Sequence, residues 1–217
     1  PKLKLIAVRA TGYDNINLKA CRKHNVAVSN VPGYGKTTVA EYAIMLMLML
    51  SHKMPRVLDA IDDGKVSYKK LTGHVLSGKT LGIIGVGRVG SSVAKIAVAL
   101  GMHVVGYDPH PNQDVADKIG FSYISLNEVL CGADIVTLHA TLNPSSKHMI
   151  NKTTLEMMKD SAILINTARG AIVNTYDLVE ALRLNQIAGA GLDCIEGEGT
   201  IDVDIESDLL LGEKDSF

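Results

Sequence analysis

Residues Thr80–Pro109 read TLGIIGVGRVGSSVAKIAVALGMHVVGYDP. The run from Thr80 to Val86 is apolar and of strand length, and Val89 to Leu100 carries apolar side chains at helical spacing. A second apolar run, Met102 to Tyr107, ends on Asp108. Strand, helix and strand in one short unit predict a parallel crossover, since an antiparallel pair needs only a tight turn. The glycines fall where that unit is tightest. Gly85 permits the sharp turn after the first strand, Gly87 lets a pyrophosphate approach the backbone, and Gly90 lets the helix lie close to its strand. The free amides at the helix N-terminus then face the phosphate charge. Asp108 can accept hydrogen bonds from both hydroxyls of an adenosine ribose, and its charge would repel a 2′-phosphate. Together they predict a bound dinucleotide, NAD in preference to NADP. Arg88 could reach a 2′-phosphate, but it reads first as a solvated surface arginine.

From Thr80 onward the same alternation continues. ADIVTLH, SAILINT and IAGAGLD read as further strands, with helices expected over Leu126–Cys131, Lys152–Met157 and Tyr176–Leu184. The pattern is that of an α/β protein with a doubly wound parallel sheet of the Rossmann type. Ligands of such sheets bind beyond the carboxyl ends of the strands, so the polar residues there define the candidate cleft. They are Asp108, His139, Asn166 to Arg169, and Asp193. Arg169 follows a fully apolar strand and is flanked by small residues, and its guanidinium fork suits a carboxylate. Asp193, Glu196 and Glu198 crowd carboxylates after the last strand, and the pattern does not rank them.

Before Thr80 the organisation differs. LKLIAVRA and VAVSNV bracket INLKACRKH, a single strand–helix–strand unit that cannot cover both faces of its own sheet. Residues 1–34 are therefore expected to end a separate domain and its hinge, and residues 35–217 to form the nucleotide-binding domain. The intervening GYGKTT superficially suggests a phosphate loop. Such a loop needs a glycine where Asn30 stands, and Pro32 removes an amide from the cradle. Pro32, Gly33 and Gly35 read instead as a hinge, with Thr37 or Thr38 capping a long helix that runs to about Lys53. The Met- and Leu-rich part of that helix, from Tyr42 to Met54, is apolar over more than one face. That predicts burial against the chain's own core or, second, against a partner subunit.

Composition narrows the function further. Twenty-two basic residues nearly balance 23 acidic ones, so nucleic acid is not the expected partner. The longest unbroken apolar run, Ala43 to Leu50, is too short to span a bilayer. The scattered cysteines Cys21, Cys131 and Cys194 lack metal-ligand spacing and fit a reducing, cytoplasmic compartment.

VRATGYDNINL, NVPGY, TVAEYA, the glycine fingerprint, ADIVTLHATLNPSSKHMIN, LINTARGAIV and GAGLDCIEGE occur in this order. In this order they resemble the D-isomer-specific 2-hydroxyacid dehydrogenases. The EGE ending is most similar to the D-lactate dehydrogenase branch. The resemblance implies a flavodoxin-like substrate domain ahead of the nucleotide-binding one, NAD as cofactor, and a small 2-keto or 2-hydroxy acid as substrate. It implies that Arg169 binds the substrate carboxylate, with Thr11 and Gly12 offering it backbone amides. Glu198 would pair with a catalytic histidine, and Asp193 would lie near the nicotinamide. Arg88, Val89, Asp108, Ala140, Thr141, Ser146, Thr167 and Ala168 match cofactor-contacting positions, alongside Gly85, Gly87 and Gly90. The expected assembly of the full-length protein is a homodimer.

One departure stands out. The family's histidine lies in a TPH-like motif well after EGE, and none of the seven histidines here matches it. The chain begins with Pro and is expected to lack segments at both ends, so it should turn over poorly alone. The alternative function is a non-catalytic NAD-sensing protein on the same scaffold, which retention of Arg169 and Glu198 disfavours.

Overall fold

The computed structural model describes residues 2–64 and 71–197. Its centre is a six-stranded sheet in which every pairing is parallel. The strands are β3 (Thr80–Ile84), β4 (His103–Tyr107), β5 (Ser122–Tyr123), β6 (Ile135–Leu138), β7 (Ile163–Asn166) and β8 (Gly189–Leu192). They run in the order β5-β4-β3-β6-β7-β8. The order reverses beside β3, the first strand of the sheet in the chain, which leaves a crevice between the carboxyl ends of β3 and β6.

Alternation along β3 explains how both faces are covered. Leu81 and Ile83 point to one side, where α2 (Lys36–Ser51) and α4 (Arg88–Ala99) bring Ala40, Ile44, Met47, Val93 and Ala97 against them. Ile84 points to the other side, where α6 (Leu126–Gly132), α7 (Lys152–Leu155) and α8 (Thr175–Arg183) contribute Leu130, Leu155 and Leu178. Each such buried aliphatic side chain contributes roughly 1.5–3 kcal/mol. A fully covered sheet explains why these strands read as continuous apolar runs rather than alternating ones.

Among the described residues, a short helix, a short strand and the 3-10 turn Gly170–Ile172 were not foreseen. Helix α5 (Gln113–Ile119) and the two-residue β5 are too short for a periodic signal. Local chemistry fixes the helix: Asn112 caps it by accepting from the Val115 amide, and Gly120 ends it at φ 92°. The expected threonine cap on the long helix is not observed. Helix α2 starts at Lys36 with Gly35 as its cap and no side-chain cap bond, which puts Thr37 and Thr38 inside the first turn. Its inner face is core, as expected first, with Ala40, Ala43, Ile44, Leu46 and Met47 buried. Among the described residues, no helix is long and apolar enough to cross a membrane.

The first residues form a separate two-stranded parallel sheet, β1 (Leu5–Ala7) with β2 (Ala27–Ser29), joined by α1 (Leu18–Lys23). No residue of α1 is buried, and Leu3 and Leu5 are more than half exposed. A short link containing Gly33, at φ 83°, leads to α2. Helix α3 (Met54–Asp62) follows, with Pro55 in its first turn.

At the amino ends of the sheet, Asp134 stitches three strands. Its carboxylate accepts from the Thr80 amide at 2.8 Å and from Lys159 Nζ at 2.8 Å, and its carbonyl accepts from the Ile163 amide at 3.0 Å. Partial burial pushes the carboxyl pKa up, but the Lys159 bond, the Thr80 amide and the charges of Lys159 and Lys79 together hold it below 3.8. Because the folded pKa is depressed, the unfolded chain takes up the proton first. The stabilisation is present above the ordinary carboxyl range and is lost as pH falls through the folded value. Asp134→Asn is expected to cost roughly 1–2 kcal/mol near neutral pH. Urea unfolding of variant and wild type should draw together as pH falls below the ordinary carboxyl pKa and converge once it passes the lower folded value.

Candidate functional site

The turn after β3 is shaped by what its glycines exclude. Gly85 sits at φ 90°, and a Cβ there would lie 2.5 Å from the Ala140 amide nitrogen. A Cβ on Gly90 would overlap the Gly85 carbonyl, so strand end and helix start are in direct contact. Gly87 is the opposite case, with nothing within 4 Å of an added Cβ. The first bond within the helix runs from the Ser91 amide to the Gly87 carbonyl at 3.0 Å, so the amides of Arg88, Val89 and Gly90 precede it. This arrangement suits an anionic diphosphate: open space in front of Gly87 and helix amides directed into it.

Asp108 directly follows β4 beside this turn. Its Oδ2 accepts from the Val86 amide at 2.8 Å and its Oδ1 from the His110 amide at 2.9 Å. Both oxygens are oriented, and each keeps a lone pair for a further donor. These amides hold the carboxylate beside the open turn at Gly87. Arg88 is exposed and lies near Gly33 in the link from the small sheet, where an added Cβ would be 3.1 Å from Arg88 Nη1.

At the carboxyl end of β7, Asn166 is fully buried and folds the turn that follows. Its Nδ2 donates to the Arg169 carbonyl at 3.0 Å, and its Oδ1 accepts from the Ala168 amide at 3.1 Å. Arg169 projects toward the small sheet. Its Nε donates to Asp14 Oδ2 at 2.6 Å and its Nη1 to the Ala168 carbonyl at 2.7 Å. Gly12 faces the same guanidinium, and a Cβ there would overlap Nη2. Thr11 lies on the same loop, with its hydroxyl bonded to the Val31 carbonyl and its own carbonyl accepting from Asn30 Nδ2. Sequence reasoning missed Asp14. The pair is 155 residues apart, and only the approach of the two sheets reveals it.

The loop after β6 completes the edge. His139 packs between Thr137, whose Oγ1 is 3.0 Å from Nε2, and Thr167, whose Oγ1 is 3.5 Å from Nδ1. Burial pushes its pKa down to about 4. Ala140 backs Gly85, and buried Ser146 donates to the Thr141 carbonyl at 2.7 Å. Thr167 is buried and Ala168 half-buried beside them. Asp193 is exposed just past β8, with its amide donating to the Asn166 carbonyl at 2.9 Å. Glu198 lies outside the described residues. The other candidate site residues lie in the segments that follow β3, β4, β6, β7 and β8 or on the small sheet's loop after β1.

A doubly wound sheet with this turn and an oriented acidic residue on the neighbouring strand defines a dinucleotide-binding domain. The comparisons give the family. Residues 44–212 match the D-isomer specific 2-hydroxyacid dehydrogenase, NAD binding domain. A 2-hydroxyacid dehydrogenase homolog of Zymomonas mobilis is 39% identical over 215 residues, covering 96% of this chain and 65% of the relative. The D-lactate dehydrogenase kk1H of Curvularia clavata is 38% identical over 196 residues, covering 90% of this chain and 56% of its own length. Among solved structures, a D-lactate dehydrogenase from Aquifex aeolicus, complexed with NAD and lactic acid, superposes with a TM-score of 0.87. It is 35% identical over 96% of this chain and 65% of its own. The chain thus belongs to the D-isomer-specific 2-hydroxyacid dehydrogenase family and carries its NAD-binding domain. It spans about three-fifths of the length of these two curated relatives.

The environment of His139 makes a direct prediction. In the folded protein its ring should remain neutral from pH 8 to 5 and titrate near 4, against 6.5 for an unperturbed histidine. The unfolded chain binds this proton first, so the ring's contribution to stability is full above 6.5 and is lost as pH falls to about 4. Histidine ring chemical shifts followed by NMR across that range check it.

Proposed function

We propose that this chain forms the cofactor-binding part of an oxidoreductase. It would interconvert a small 2-keto acid and the corresponding D-2-hydroxy acid, with pyruvate and D-lactate as the pair. The observation that carries this reading is the position of Arg169. A guanidinium projects from the strand edge that also bears the Gly85–Gly90 turn, toward Gly12 on the small sheet. A bidentate fork at that place selects a carboxylate and fixes its orientation relative to the nucleotide. The lactic acid named with the Aquifex aeolicus relative supports the substrate class.

On this reading Arg169 grips the carboxylate and orients the keto group, and Thr11 and Gly12 supply backbone amides. Bound NADH supplies the hydride. Gly85, Gly87, Arg88, Val89 and Gly90 hold the diphosphate, and Asp108 the adenosine ribose. Ala140, Thr141, Ser146, Thr167, Ala168 and Asp193 line the remainder of the cofactor. Glu198 raises the pKa of a proton-donating histidine that none of the seven in this chain supplies. Residues 1–34 belong to the flavodoxin-like substrate domain and its hinge, and residues 35–217 to the NAD-binding domain. The scattered cysteines Cys21, Cys131 and Cys194 support a cytoplasmic setting.

The full protein is proposed to be a homodimer. Supporting this, the outer face of α2 leaves Tyr42, Met45 and Leu48 exposed. Beside them Met49, Met54 and Ile96 line an open apolar groove of about 480 Å³. Light scattering of the full-length protein should give twice its chain mass, and Met45→Glu with Leu48→Glu should give the single mass.

Fluorescence titration tests the chemistry. NADH should bind at least about tenfold more tightly than NADPH, because Asp108 would repel the 2′-phosphate. Arg169→Gln should weaken pyruvate binding to the NADH complex by roughly 10- to 100-fold while NADH affinity stays within about twofold. Unchanged pyruvate affinity in that variant would remove Arg169 from the substrate site.

A further inference from the structure

His148 and Glu196 form a half-buried hydrogen-bonded pair at the same sheet edge, with Nε2 2.6 Å from Oε2. The backbone around the histidine is unusual. Among the described residues, four non-glycine residues have positive φ: Asn25, Lys53, Asn185 and His148. The first three directly follow the C-cap residues of helices α1, α2 and α8. His148, at φ 50°, lies in the loop after β6, so its left-handed conformation is maintained by its surroundings.

Those surroundings are specific. Asn143 Oδ1 accepts from the Ser145 and Ser146 amides at 2.8 and 3.1 Å, which fixes the approach to His148. The His148 amide donates to the Ala171 carbonyl at 2.9 Å, and its carbonyl accepts from Asn151 Nδ2 at 2.9 Å. Its ring then reaches Glu196, 48 residues further along the chain. The main chain of Ile195 and Glu196 occupies the space where Gly170 would carry a Cβ. A ring of contacts therefore closes around the residue that directly follows Arg169: Ala171 to His148, His148 to Glu196, and Glu196 back to Gly170. The side chains are 37% and 31% exposed, so the pair contributes little to global stability, and its effect is local.

We propose that His148 and Glu196 are positioning residues. They form a clasp that holds the segment after β8 against the Arg169–Gly170 turn and so sets where the Arg169 guanidinium stands. The substrate consequence rests on Arg169 being the partner of the keto acid's carboxylate. The clasp itself does not.

Hydrogen exchange and pyruvate binding, measured on the full 217-residue chain, test the two parts separately. His148→Ala and Glu196→Ala should each speed exchange at least tenfold in peptides covering 168–173 and 189–197. Peptides across β3 and β4 and the affinity for NADH should stay unchanged, showing that the domain remains folded. Each variant should also weaken pyruvate binding to the NADH complex at least fivefold. The double variant should be no worse than the worse single one. Glu196→Gln, which keeps an acceptor for the ring N–H, should recover most of both losses. Unchanged exchange in either single variant, or losses that add in the double variant, would overturn the clasp. Accelerated exchange with unchanged pyruvate affinity would overturn the positioning of Arg169. If the wild-type chain binds NADH but no pyruvate, the substrate reading fails, and the exchange result alone decides the clasp.

Discussion

Contact between Gly90 and the Gly85 carbonyl determines how the first strand of the large sheet meets its helix. With any side chain at position 90, α4 would have to lift from β3, and its leading amides would turn away from the strand ends. Because the helix sits down, Leu81 and Ile83 pack directly against Val93 and Ala97, and α2 can lie beside α4 on the same face. The Val86 amide, in the turn itself, is then within reach of Asp108 on the neighbouring strand. One close approach thus ties the core to the cofactor edge. The strand order follows, since β4 and β6 add on either side of β3.

The two edges of the sheet are fastened differently, and the difference matters for function. At the amino edge, Asp134 joins β3, β6 and the lysine ahead of β7 through one partly buried carboxylate. At the carboxyl edge the fastening is spread over short polar loops: Asn166 within its turn, Asn143 with Ser145 and Ser146, and His148 with Glu196. These loops satisfy one another's backbone groups while remaining partly open to solvent, as a ligand-binding edge requires.

Much of this was legible in the sequence because it is local. Continuous apolar runs marked the five longer strands of the sheet, since each is covered on both faces, and the spacing of Gly85, Gly87 and Gly90 marked the turn. Failures came where local signals were weak or the determinant was distant. Helix α5 is a single cap-to-cap unit of seven residues, and β5 has only two, so neither shows a period. The cap of α2 was misplaced because threonines are good caps, whereas Gly35 fits the actual start without a side chain. Arg169 with Asp14, and His148 with Glu196, join residues that only the folded chain brings together. No spacing rule reaches across 155 or 48 positions.

Arg169 shows how such an edge can be both firm and exchangeable. Its backbone is set by Asn166, a buried amide with both ends satisfied, and removing either bond would strand a polar group away from water. Its guanidinium is held by a much weaker restraint. The Asp14 contact is short, but both side chains are 42% exposed, and such pairs contribute about 0–1 kcal/mol. On the proposed reading, exchanging one carboxylate for another at that fork would change little in charge or hydrogen bonding, and an incoming carboxylate would meet an already extended arginine at small cost. Gly12 keeps the approach clear, because a side chain there would collide with the fork. Stiffness therefore decreases outward, from the buried Asn166 to the exposed guanidinium tip. Under the proposed function, that gradient would let the arginine be oriented before a ligand arrives and still be free to receive it.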